Sequence, residues 1–97
     1  MAFDEFAELV RDGVDTASQA DPDLEFTFDQ AGWQWRRGVL VVTLAEQNGK
    51  ALASYVAPTT ELFGNRSNAQ SFATNASGAE QAATYIVALL SDPNLYR

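Results

Sequence analysis

The sequence predicts an α+β protein of two layers, ordered helix, three antiparallel strands, helix (α-β-β-β-α), and three observations carry that expectation. Apolar residues recur at helical spacing at both ends of the chain, from Phe3 to about Ala17 and again from Ser77 to Ser91. Between them LEFTFD (24–29) alternates with a period of two. Asn48-Gly49 separates two apolar stretches and is the dipeptide best suited to a type I′ hairpin turn. The 97 residues suit a single domain, 1–97, large enough to bury a core without disulfides or metals.

The first helix is amphipathic. Wound at about 100° per residue, it sets Phe3, Phe6, Leu9, Val10, Gly13, Val14 and Ala17 on one arc, with Asp4, Glu5, Glu8, Asp12 and Asp15 opposite. The two sets do not mix. Like charges four apart cost a helix about 0.2–0.5 kcal/mol per pair, so helix stability alone does not account for these acids.

SQADPD follows, a turn in which Pro22 would stop a helix. In LEFTFD, Leu24, Phe26 and Phe28 face one way and Glu25, Thr27 and Asp29 the other, as in a half-buried strand with an acidic outer face. After the turn DQAG comes WQWRRGVLVVTLAE, where Trp33 and Trp35 alternate with Gln34 and Arg36. Gly38 implies a bulge or bend in one long strand, or a break between two. A two-residue turn at Asn48-Gly49 would place Gln47 opposite Lys50, Leu44 opposite Ala53 and Val42 opposite Tyr55. The result is a three-stranded meander with turns near residues 30 and 48.

Residues 58–76 are polar, with Leu62, Phe63 and Phe72 as their large apolar members. So long a structureless stretch is unusual, and a short strand or helical turn is expected near TELF or QSFAT. Ser77 and Glu80 have the spacing of a capping box, opening a last helix whose packing face is Ala82, Tyr85, Ile86, Leu89 and Leu90. DPN ends it. Its outer face is nearly uncharged and rich in alanine, which permits packing against another element or a second subunit. Two helices over one face of the sheet would bury Phe3, Phe6, Val10, Phe26, Phe28, Val42, Leu44, Ile86 and Leu89.

Composition narrows function. The chain has neither cysteine nor histidine, which removes disulfides, thiolates, the commonest general base and the commonest zinc ligand. No catalytic residue, cofactor or metal is assigned, and an enzyme is not expected. DPDLE spaces Asp21, Asp23 and Glu25 as a calcium loop does, but an EF-hand needs glycine and glutamate where Phe26 and Gly32 stand. The glycines are scattered singly, so no phosphate loop is present. WQWRR could stack on single-stranded nucleic acid, yet it is the lone basic cluster of an acidic chain. A packed strand is the favoured alternative, with Trp33 and Trp35 inward and Arg36 or Arg37 paired with an acid. Asn65 and Asn75 begin glycosylation triplets, but the acidic start of the chain does not resemble a secretory signal. No apolar run is long enough to span a membrane. A cytoplasmic protein without membrane or direct nucleic-acid contact is expected.

The formal charge is −7, and its placement is more informative than its size. Residues 1–30 carry nine acids, Asp4, Glu5, Glu8, Asp12, Asp15, Asp21, Asp23, Glu25 and Asp29, against the single base Arg11. Residues 31–97 carry four acids against five bases. A protein made acidic only for solubility would spread its acids, so the asymmetry predicts a patch. The five helix acids would span roughly 16 Å, one per about 3–4 Å, close to the ~3.4 Å charge spacing of a DNA strand.

In size, acidity, absence of cysteine and histidine, and a helix with one wholly acidic face, the chain resembles the small phage-encoded inhibitors that mimic DNA, anti-CRISPR proteins among them, and those nine acids carry the likeness. The resemblance covers about a third of the chain and implies a non-enzymatic protein that docks on the DNA-binding groove of a CRISPR effector complex and excludes the target. The slightly basic remainder departs from it and would make any mimicry one-sided. The expected partner is therefore a basic protein surface, bound by those nine acids, with the chain itself a monomer or homodimer. Three alternatives stay open: a solvated acidic face that serves only solubility, a structural or assembly subunit that oligomerises through its last helix or a sheet edge, and an immunity protein that neutralises a basic toxin.

Overall fold

The computed structural model describes residues 1–58 and 65–97. Helix α1 (Phe3–Ala20) is followed by strands β1 (Thr27–Asp29), β2 (Gln34–Arg37), β3 (Leu40–Gln47), β4 (Lys50–Pro58) and β5 (Asn65–Phe72), then helices α2 (Ala76–Leu90) and α3 (Pro93–Tyr96). The strands form one antiparallel sheet in chain order. The α+β class and the helices at either end match the sequence expectation. The meander has five strands instead of three.

Two local causes explain the extra strands. Gly38, at φ +59°, is the first residue of a two-residue turn, with Arg37 and Leu40 paired across it. The run from Trp33 to Gln47 is accordingly broken into two strands, one of the alternatives Gly38 had left open. The other addition, β5, lies in the polar segment and includes the start of QSFAT; TELF lies outside the described residues. As an edge strand exposed from Arg66 to Ser71, β5 has no buried face to impose apolar alternation.

The Asn48-Gly49 turn is as expected. Both residues have positive φ, +54° and +76°, as a type I′ turn requires. The pairs Gln47–Lys50, Leu44–Ala53 and Val42–Tyr55 all form. The LEFTFD alternation is also present, with Leu24 buried and Phe26 and Phe28 half-buried, although only its last three residues pair as a strand.

Both helices lie on the sheet face that carries Trp35, Leu40, Val42, Leu44, Ala51 and Ala53, and Phe6, Val10, Val14, Ile86 and Leu90 close the core from above. Small side chains let the two helices of that layer approach. A Cβ on Gly13 of α1 would stand 2.8 Å from the Cβ of Ala83 on α2, which sets how closely the two helices run. Phe3 is half-buried, and Leu9 is 43% exposed where α1 faces α2 across an open groove.

The cap of α2 differs from the capping-box expectation. Asn75, two residues before Ser77, is the N-cap, and its side chain accepts a hydrogen bond from the Gly78 N–H at 2.7 Å. Asn75 thus has a backbone role that accounts for its presence. DPN both ends α2 and starts α3: Asp92 accepts from the Asn94 N–H at 3.0 Å, with Pro93 in the first turn.

Candidate functional site

The nine acids are distributed over three neighbouring structures. On α1, Phe6, Ala7, Val10 and Val14 face the core, and Leu9, Gly13 and Ala17 face α2. Helical geometry therefore leaves Asp4, Glu5, Glu8, Asp12 and Asp15 on the outer flank, away from both. Asp4, Glu5, Glu8 and Asp12 are exposed and Asp15 is partly so. All five sit within one unbroken helix.

The remaining four acids are exposed as well. Asp21 and Asp23 lie in the turn after α1, where Asp21 Oδ1 accepts the Asp23 N–H at 3.0 Å. Asp29 shares the parity of Thr27, so it projects from the sheet face opposite the helices, and Glu25 lies in the segment that leads into β1. Asp29 Oδ1 accepts the Ala31 N–H at 3.0 Å and so shapes the β1–β2 turn. The acidic helix face, extended by turn and strand, forms a flank around the β1 edge: helix acids on one layer, Asp29 on the other, and Asp21, Asp23 and Glu25 between.

Arg11 ties the flank together. Its guanidinium lies 5.8 Å from the Phe28 ring centroid, so this side of α1 stands over β1. Its ion pairs, to Asp12 at 3.6 Å and Asp15 at 3.8 Å, are the only ones among the described residues. Pairs this long and this exposed contribute little. The flank keeps almost all of its negative charge uncompensated.

WQWRR is structural in three of its five members. Trp35 is wholly buried, 5.1 Å from Phe28 between ring centroids. Trp33 occupies the β1–β2 turn at φ +44°, with its ring 5.9 Å from Phe28. Arg37 corrects the ion-pair expectation, because it finds backbone carbonyls in place of an acid. It donates to Leu90 O at the C-terminal end of α2 and to Asp23 O at 2.9 Å, and it stacks 3.8 Å above the Tyr96 ring. A cation at a helix C-terminus is favoured by the helix dipole. Arg36, which is exposed, bonds Gln34 Oε1 at 3.1 Å. Neither indole is therefore displayed as an open stacking platform.

The Arg37 contacts position the acidic turn, a role sequence reasoning missed. Beside them Gly38 packs so tightly that a Cβ would come within 2.0 Å of Tyr96 O, and that oxygen accepts the Val39 N–H at 3.2 Å. Gly38 was a visible signal of something local. Nothing in the sequence pointed to the C-terminus as its neighbour.

Among the described residues no group of three or more acidic side chains is placed to hold a metal ion, and no helix is long and apolar enough to cross a membrane. Comparison with protein-family models, with curated proteins and with solved structures finds no match for this chain.

Proposed function

We propose that the chain is a non-enzymatic acidic binding protein, an inhibitor that docks the α1–β1 flank onto a basic, nucleic-acid-binding surface of a partner. The DNA-binding groove of a CRISPR effector complex is one surface of that chemistry. The observation that carries the proposal is the segregation of charge: nine exposed or partly exposed acids surround one edge, with Arg11 as their sole ion-pair partner among the described residues. Keeping like charges together costs stability in the free protein, and a basic surface would recover it. The chain's lack of histidine and cysteine supports the non-enzymatic reading.

Such a contact forms fast and is sensitive to salt, because exposed charges steer the encounter and are screened as ionic strength rises. Capture from cell extract on immobilised protein tests it. A partner should be retained at low salt, released by raised salt or by competing duplex DNA, and lost with the triple variant Glu8→Lys, Asp12→Lys, Asp15→Lys. Equal capture by the triple variant refutes the proposal. Release by salt but not by DNA would favour the immunity-protein alternative, whose basic partner need not bind nucleic acid. The assembly-subunit alternative draws on a different observation, the sparsely charged edge at the other side of the sheet.

A further inference from the structure

That opposite edge combines a strand and a helix flank. Among the described residues β5 pairs on one side only, with β4. It runs eight residues, Asn65–Phe72, with no proline and one charge, Arg66, so it lacks most of the devices that keep edges from pairing. The Ala69 N–H bonds the neighbouring Asn68 side chain, at 2.8 Å, and so is a donor that β4 does not use. Alongside, Ser77, Gln81, Thr84 and Tyr85 of α2 form a shallow concavity with Gln70 and Phe72 of β5. The only charges on β5 and α2 are Arg66 and Glu80.

These two charges stand at opposite ends. Arg66 is near the C-terminus, with its guanidinium on Asn94 O at 3.3 Å, whereas Glu80 borders the concavity at the Phe72 end of β5. Neither forms an ion pair among the described residues. Arg66 and Phe72 share the helix-side face of the sheet, since their β4 partners are Ala57 and Ala51.

We propose that this edge is the interface of a homodimer, in which β5 of one copy pairs antiparallel with β5 of another. A two-fold axis perpendicular to the sheet keeps the helix layers of both copies on one side and makes the contact self-complementary. It brings Arg66 of each copy to the Phe72 end of the other, beside the other's Glu80. Two symmetric opposite-charge contacts result. The acids of α1 and β1 lie at the far edges of the joined sheet, where their mutual repulsion is least. This interface is independent of the acidic-flank proposal, because it uses none of those nine residues.

Sedimentation equilibrium of the purified chain tests it, with circular dichroism to confirm folding. The wild type should sediment at twice the 10.5 kDa chain mass. Arg66→Glu and Glu80→Arg should each weaken association by roughly tenfold or more, and the double exchange should restore it. Asp12→Lys, at the other edge, should leave the dimer intact. A single-copy mass up to about 1 mM overturns the proposal, as does a dimer that ignores both single exchanges or one that the double exchange fails to restore.

Discussion

The two edges of the sheet differ in almost every physical respect. The β1 edge is short, three residues, and is surrounded by the acids of α1, the DPD turn and the strand itself. The β5 edge is eight residues long, and with α2 it carries one base and one acid. Both are exposed, so burial does not explain the contrast. A charged edge avoids its own kind and suits an oppositely charged partner; a nearly neutral edge with a strand paired on one side only suits another strand. One small sheet can thus hold two contacts that do not compete.

Substitutions at the two edges should separate their roles. Gly38→Ala adds a Cβ within 2.0 Å of Tyr96 O at a position of φ +59°. It should destabilise the fold by at least about 3 kcal/mol in denaturant melts. Arg37→Ala removes charge-assisted bonds to Asp23 O and Leu90 O and the stack on Tyr96, for about 2–3 kcal/mol. Hydrogen exchange should speed up at residues 21–25 while the β3–β4 pairing stays protected. Equal loosening of both would mean that Arg37 supports the whole molecule and has no particular role in the acidic turn. Asn75→Ala deletes the α2 cap and should cost about 1 kcal/mol, with the acidic edge unaffected. Glu8→Lys with Asp12→Lys and Asp15→Lys should shift stability by less than any of these, since exposed like charges cost only about 0.2–0.5 kcal/mol per pair.

The smallest effect concerns Tyr85, on the neutral edge. Burial, and then the neighbouring Tyr55, hold its hydroxyl above the ordinary value of 10.0. The folded chain thus keeps this proton longer than the unfolded chain does. The stabilising contribution is complete below the unfolded value and is lost as pH rises through the folded one. Ultraviolet titration should find a late-titrating tyrosine signal that is absent in Tyr85→Phe.

Where one face of an element was buried and the other wet, the sequence was readable. The helix arcs and the LEFTFD alternation follow from that contrast, and the register of the central hairpin follows from the two-residue turn at Asn48-Gly49. A short element near QSFAT is legible from loop length alone, but the full extent of β5 is not, because NRSNAQSF has little to bury and so shows no period. The α2 cap was misplaced by two residues because Asn75 and Ser77 both suit a cap, and only the turn geometry at Gly78 selects between them. The acids were legible as a group, and their exposure follows from the helix arc and the strand alternation. What spacing could not convey was that they wrap an edge across two layers, since that depends on Arg11 standing over Phe28 and on Arg37 reaching Asp23 and Leu90, contacts that join distant parts of the chain.

The central claim is that the acidic edge is a binding surface. Its most direct test is the affinity of the captured partner for the wild type and for the Glu8→Lys, Asp12→Lys, Asp15→Lys variant, each measured at low and raised salt. Strong salt dependence is expected for the wild type, with binding lost by a variant that remains folded. Equal affinity for the two proteins, unchanged by salt, would contradict that claim.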